Sequence, residues 1–328
     1  MRKITLFVGA YTDLGLEKFL DLAAGIGYQG VELMVKDDIV SLEKTVSDSN
    51  YRAYLHEQLE KRGLFCHAMS SSRIGKCVGD DFTPVLDTIV PPRLKGKPDD
   101  IHKWAVDSMM AVPTAAKLFG VKTVETFLGS SVWRYLYPYP RLPDTLVEDG
   151  FARIAELWKP ILDEFERQGI KLAFEAHPTE IAYDYYTTER LFEALDNHPA
   201  FKLNFDPSHL VWQGVDPIVF LRRFGRDVAH MHVKDALVRL DGRASILASH
   251  FPFGDRRRGW DFRSPGHGQV DFKEVFRELT AVGYDGPLSV EWEDNGMDRL
   301  EGAKDAFEFV SSLNFSPSHI EFDTLQKT

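Results

Sequence analysis

Short apolar runs alternate along this chain with longer stretches whose apolar positions recur every three or four residues. The short runs fall at 4–8, 30–35, 64–69, 121–127, 170–176, 201–206, 228–233 and 287–291, and each has about the length of one buried parallel strand. Helical patterns lie between them. Ile154, Leu157, Trp158, Ile161, Leu162 and Phe165 form one apolar stripe; Phe272, Val275, Phe276 and Leu279 form a second; Leu300, Ala303, Phe307 and Val310 form a third. Gly27, Gly63, Gly120, Gly169 and Gly283 each follow a helical stretch and precede a strand, where glycine ends a helix. Eight such units predict an α/β fold, a closed (β/α)8 barrel of the TIM type over residues 1–315, with 316–328 as a C-terminal tail. A doubly wound sheet is the alternative, but Val8-Gly9-Ala10-Tyr11 lacks the glycines of a phosphate-binding turn.

The chain is longer than a minimal barrel of about 250 residues. The surplus lies at 70–100, 128–148 and 236–268, after the third, fourth and seventh strands. Strand-to-helix loops lie on the catalytic face of such a barrel. These carry Trp133, Arg134, Tyr135, Tyr137, Tyr139, Arg141, Phe251, Phe253, Arg256, Arg257, Arg258 and Trp260. Aromatics and arginines at that density favour an ordered lid or partner surface over disorder.

Four predicted strands end on metal-ligand residue types: Glu175, Asp206, His232 and Glu291. Each closes an apolar run, where an ionisable side chain is costly to bury without a partner. Alone, each reads as an ion pair or a strand-end cap. Together, on the fifth to eighth strands, they predict one oxygen-and-nitrogen site for a single divalent cation: Mn²⁺ foremost, with Mg²⁺, Co²⁺ or Zn²⁺ as alternatives. His177 shares the face of Glu175 and is a candidate proton shuttle; its alternative role is capping the loop before Pro178. His209, Lys234 and His67 are candidate substrate contacts, with Trp133 and Arg239 from the long loops. Glu32 is a weaker candidate for the pocket, His230 a core residue one layer deeper, and Asp235 a structural cap.

Phe174-Glu175-Ala176-His177-Pro178, Asn204-Phe205-Asp206-Pro207-Ser208-His209, His230-Met231-His232-Val233-Lys234-Asp235 and Ser289-Val290-Glu291-Trp292-Glu293 resemble the xylose isomerase-like barrel family. This is the sugar phosphate isomerase/epimerase group, with ketose 3-epimerases, inosose dehydratase and, more distantly, endonuclease IV. The resemblance runs from the first strand to the last helix and is strongest over 170–310. It implies that the four strand-end residues hold the cation. It also implies that Glu175 and Glu291 serve as the acid/base pair. The segment from Gly254 to Gly268 is longer than in the small epimerases.

The expected chemistry is proton abstraction α to a carbonyl through a metal-stabilised enediolate, giving a sugar isomerase or epimerase. With a leaving group β to the carbonyl, the same carbanion makes the enzyme a dehydratase or a 3-keto-glycoside lyase. Lysine and arginine number 39 against 50 acids, a net charge of −11, which argues against nucleic acid as the partner and against an endonuclease. No run reaches the ~18 apolar residues of a membrane span. Two cysteines, Cys66 and Cys77, make no disulfide framework, and a cytoplasmic setting is expected. The expected partners are a small carbohydrate substrate and further copies of the chain, or a small β-rich subunit in the lyase case.

Overall fold

A computed structural model describes residues 1–318. Of the expected tail, 319–328 lie outside the described residues. Eight parallel strands close into a barrel: β1 (Ile4–Phe7), β2 (Gly30–Met34), β3 (Phe65–Ser70), β4 (Thr123–Thr126), β5 (Lys171–Glu175), β6 (Phe201–Phe205), β7 (Val228–Val233) and, last in the chain, β10 (Leu288–Val290). Their order around the barrel is β1-β10-β7-β6-β5-β4-β3-β2. Two further strands, β8 (Asp235–Val238) and β9 (Trp260–Arg263), pair antiparallel outside the barrel. The helices are α1 (Leu16–Ile26), α2 (Leu42–Ser47), α3 (Ser49–Glu60), α4 (Ser72–Gly79), α5 (Pro98–Phe119), α6 (Leu146–Gln168), α7 (Tyr185–Ala194), α8 (Pro207–Val211), α9 (Pro217–Phe224), α10 (Phe272–Ala281) and α11 (Arg299–Leu313). No described helix is long and apolar enough to cross a membrane.

The helical stripes read from the sequence face the barrel. In α6, Ile154, Trp158, Ile161, Leu162 and Phe165 are buried, and Trp158 Nε1 donates to the Leu128 carbonyl at 3.0 Å. The helix ends on Gly169 at φ +73°, a left-handed conformation that side chains with a Cβ adopt at a cost. In α11 the contact is made by smaller residues than the pattern suggests. Gly302, Ala303, Ala306 and Val310 are buried, whereas Leu300 is exposed. The reason is close approach: a Cβ on Gly302 would lie 2.1 Å from Trp292 Nε1, so small residues let the helix seat against Trp292.

Two segments depart from the expected loops. The stretch after β3 is partly helical, carrying α4. The stretch after β7 is a hairpin, with Asp235 opposite Arg263 and Val238 opposite Trp260. Its connection is too long for any two-residue turn signal. One carboxylate anchors it. Asp235 Oδ1 accepts the amides of Ala236 (2.9 Å) and Val270 (3.0 Å), and Oδ2 those of Gly266 (3.0 Å) and Gly268 (2.9 Å). Asp235 is thus the structural cap its position suggested, and a Cβ on Gly268 would meet Oδ1 at 2.2 Å. Above this anchor, Trp260 stacks on Trp212 at 4.2 Å and 2°.

Removing that carboxylate strands four amide donors. Asp235→Ala is expected to lower unfolding free energy by about 2–4 kcal/mol, since charge-assisted bonds and orphaned donors carry the larger penalties. Urea denaturation measures it, and an unchanged midpoint would show that the hairpin is held by its aromatic packing instead.

Candidate functional site

Parallel strands of a barrel all present their C-terminal ends at one mouth, so the side chains closing β5, β6, β7 and β10 converge there. Donor atoms of Glu175, Asp206, His232 and Glu291 all lie within 4.8 Å of one another. His232 Nδ1 is the hub: Glu291 Oε2 lies 2.8 Å away and Glu175 Oε2 3.0 Å. Asp206 is the N-cap of α8, and its Oδ1 accepts the Ser208 amide at 2.8 Å. Its other oxygen, Oδ2, faces His209 Nε2 at 3.3 Å and Lys234 Nζ at 3.8 Å.

Asp206 Oδ2 and Glu291 Oε2 are buried, and neither has hydrogen-bond geometry with a described residue. Buried carboxylate oxygens are rarely left so. Three carboxylates and one imidazole, with two unsatisfied oxygens turned toward the cluster, fit a divalent cation such as Mn²⁺ or Zn²⁺. The cluster is a candidate metal site.

The charges around it are interdependent. Burial alone would lower the His232 pKa, but the charges of Glu291 and Glu32 and the contact with Glu175 raise it well above the usual imidazole value. Burial pushes Glu175 up, and His232, Lys234 and His177 bring it below the ordinary carboxylate value. Glu291 behaves alike, held down by Lys234 and His232. Asp206 goes the other way: burial raises it well above the ordinary value, Lys234 offsets only part, and Glu175 and Glu291 add to the rise. Lys234 loses stability as a cation by burial and regains more from Glu291, Glu293, Asp206 and Glu175. Its Nζ lies 3.3 Å from Glu291, 3.6 Å from Glu293 and 4.4 Å from the Phe262 ring centre on β9.

The other expected contacts divide. His209 belongs to the cluster, with Nε2 3.1 Å from Glu175 Oε1; burial and the Lys234 charge keep it neutral. His177 lies beside it, ring centres 4.1 Å apart, and burial lowers its pKa well below the usual value. Its Nδ1 contacts the Pro178 carbonyl, which only accepts, so Nδ1 carries the proton and Nε2 keeps its lone pair. The loop-cap and proton-shuttle readings therefore hold different nitrogens of one ring.

His67 does not close the mouth. It is mid-strand in β3, where Val31 pairs with Cys66 and Glu32 with Ala68, so His67 is the extra residue of a bulge. The bulge turns it toward His230, against which it stacks at 5.5 Å; burial and His230 lower its pKa to about 4. Trp133 packs edge-on against Tyr183 at 5.0 Å, outside the cluster contacts. Arg239 continues from β8, with Nη2 3.8 Å from Asp261 on β9, and contacts the hairpin rather than the donors.

Two residues of the site are not among those expected from the sequence. Asn204 Nδ2 donates to Glu175 Oε2 at 2.7 Å and lies 3.0 Å from His232 Nδ1. It precedes Asp206 by two on the same strand, so strand parity was the available clue. Glu125 on β4 is buried, and burial together with Glu175 raises its pKa well above the ordinary value.

The family model described as "Xylose isomerase-like TIM barrel" matches residues 20–313. The uncharacterized protein YfiH of Bacillus subtilis (strain 168) is 26% identical over 326 residues, 93% of this chain and 97% of that protein. Inosose dehydratase of Clostridium perfringens (strain ATCC 13124) is 27% identical over 160 residues, 46% of this chain and 53% of its own length. Among solved structures, 3-keto-D-glucoside 4-epimerase from E. coli aligns with a TM-score of 0.67 at 14% identity, over 95% of this chain and all (100%) of that one. The IolI protein with a bound zinc atom aligns at 0.63 and 17% identity, over 95% and 98%. At those identities the two structures speak to the fold alone. The family model spans most of the chain, and this protein belongs to the xylose isomerase-like TIM barrel family.

Proposed function

We propose that this protein is a divalent-metal-dependent enzyme that removes the proton α to the carbonyl of a keto-sugar or sugar derivative, as an isomerase or epimerase. The observation that carries the reading is the convergence of Glu175, Asp206, His232 and Glu291 donors within 4.8 Å, two of their oxygens buried and unsatisfied. A bound Mn²⁺, or another divalent ion, would supply Lewis acidity toward the substrate carbonyl and its neighbouring hydroxyl.

The remaining work falls to the chain. Glu175 from β5 and Glu291 beyond β10 reach the cluster from different strands, and both are held ionised. One takes the α proton as base; the other, once it has picked up a proton from solvent, returns that proton to the same carbon or to its neighbour. Lys234, buried and cationic, stabilises charge that develops on the substrate oxygen. His209 remains neutral and donates a hydrogen bond without adding positive charge. His177, with its lone pair on Nε2, carries protons between Glu175 and solvent.

Elimination is the second reading. A substrate with a hydroxyl or glycosidic oxygen β to the carbonyl would lose it from the same carbanion. The relative named inosose dehydratase supports this, although its match covers about half of each chain. In either reading the chain acts within the cytoplasm on a small carbohydrate, as a homo-oligomer, or with a small second subunit if the lyase reading holds.

Solvent deuterium decides the chemistry. Wild-type protein with Mn²⁺ and a panel of ketoses and 3-keto-glucosides in D2O is expected to label the carbon α to the carbonyl. Glu291→Gln should slow exchange about 10²–10⁴-fold, the usual worth of a general base. An epimer among the products favours the first reading, and an enone or released aglycone the second. No exchange on any substrate would sink both.

Metal affinity should also depend on pH. His232 and Asp206 both hold protons well above their ordinary pKa values when the cluster is metal-free. Both protons must leave for the donors to coordinate, so affinity rises with pH and falls as pH drops. Where both are bound, each weakens apparent Mn²⁺ affinity by about tenfold per pH unit. Titration calorimetry in buffers of different ionisation enthalpy should count close to two protons released per ion; none released would contradict the assignment.

A further inference from the structure

We propose that Glu32 is the positioning residue of the metal centre: its carboxylate sets the His232 ring so that Nδ1 is the nitrogen presented to the other three donors. This rests on the reading of the cluster as a metal site and adds a residue that touches none of the reacting atoms.

Glu32 lies on β2, and between β2 and β7 the barrel runs through β1 and β10. The side chain therefore reaches across the barrel interior. It is fully buried. Its Oε2 lies 2.8 Å from His230 Nε2 and 3.1 Å from His232 Nε2, and accepts from Ser289 Oγ at 2.8 Å. An ionised carboxylate only accepts, so both rings carry a proton on Nε2. That leaves Nδ1 of His232, 3.0 Å from Glu175 and 2.8 Å from Glu291, as the ring nitrogen that gives up its proton to coordinate.

Two ambiguities of an imidazole are removed at once. The tautomer is fixed because Nε2 must donate. The ring flip is fixed as well, because a half-turn about Cβ–Cγ would offer carbon Cε1 to Glu32 and carbon Cδ2 to the donors. Phe7 stacks on the same ring at 5.5 Å and 22°, which holds its plane but cannot tell the two flip states apart. Only a hydrogen-bonding partner does that.

The placement is otherwise hard to explain. Among the described residues no lysine or arginine pairs with Glu32; its charge is met by His230, His232 and Ser289 alone. A barrel interior can be filled by an apolar side chain of similar volume without burying a charge. A carboxylate donating order to a ligating histidine is, by contrast, the usual way an imidazole ligand is oriented.

The test uses Glu32→Gln and Glu32→Asp in the full chain, with Mn²⁺ alone as the probe. Competition with a chelator should show Glu32→Gln binding Mn²⁺ about 10–100-fold more weakly than wild type, the range for loss of such a partner. Glu32→Asp, which keeps the acceptor, should recover part of the affinity. In a His232→Asn background, Glu32→Gln should cause no further loss, because its partner is gone. Long-range ¹H–¹⁵N spectra of the metal-free protein at alkaline pH should place the His232 proton on Nε2 in wild type and on both nitrogens in Glu32→Gln.

Wild-type affinity in Glu32→Gln, or a full additional loss in the His232→Asn background, would overturn the proposal. Two ions per wild-type chain, one of them lost in Glu32→Gln, would also overturn it by making Glu32 a ligand. If Glu32→Gln does not fold, Glu32→Asp and the wild-type spectrum still decide. A wild-type protein that binds no Mn²⁺ would remove the metal-site reading, whereas the proton position on His232 would still report on Glu32.

Discussion

The balance of charge inside the barrel is the constraint on which the rest depends. Five carboxyl groups, Glu32, Glu125, Glu175, Asp206 and Glu291, are enclosed with two cations, His232 and Lys234. Five ionised carboxylates could not share this space. The interior resolves the excess by splitting them. Glu32, Glu175 and Glu291, each beside His232, are held below the ordinary pKa, whereas burial and the neighbouring carboxylates raise Asp206 and Glu125 well above it.

Asp206 and His232 are the two donors whose pKa values are raised well above the ordinary ones. Exchanging one proton on each for one divalent ion would change the charge by −2 and +2, leaving the balance of the interior as it was. A site built this way would bind a divalent ion by proton exchange.

Much of this was legible in the sequence, and the reason is geometric. A buried strand is apolar, so a carboxylate or imidazole at its end stands out. Period-two alternation then puts Glu175 with His177, and His232 with Lys234, on one face. The same logic applied to Asn204 would have found it, but an amide two residues before Asp206 is not conspicuous as a ligand type. What sequence could not show depends on register. Counting residues puts His67 at a strand end; the pairing of Glu32 with Ala68 rather than His67 makes it a bulge and turns it toward His230. The hairpin of β8 and β9 was hidden because its strands are short and far apart. Its aromatic and arginine content did foretell order, now visible in the Trp212–Trp260 stack and in Arg258 against Phe253 at 4.1 Å.

The segment from His230 to Asp235 shows how few residues couple the parts. His230 shares Glu32 with His232 in the barrel interior. His232 is the hub of the donor cluster. Lys234 carries the cation of the mouth and meets Phe262 of β9. Asp235, one residue on, gathers four backbone amides, three of them from the loop after β9, and so fixes where β9, and with it Phe262, can lie. The hairpin is therefore not an appendage to the barrel. Its position is set by the residue that follows Lys234, and it in turn covers Lys234. A shift in the hairpin must alter how deeply that ammonium is buried, and burial is what the charges of Glu291, Glu293 and Asp206 offset. Access to the site and the charge within it are thus coupled through one short stretch of chain.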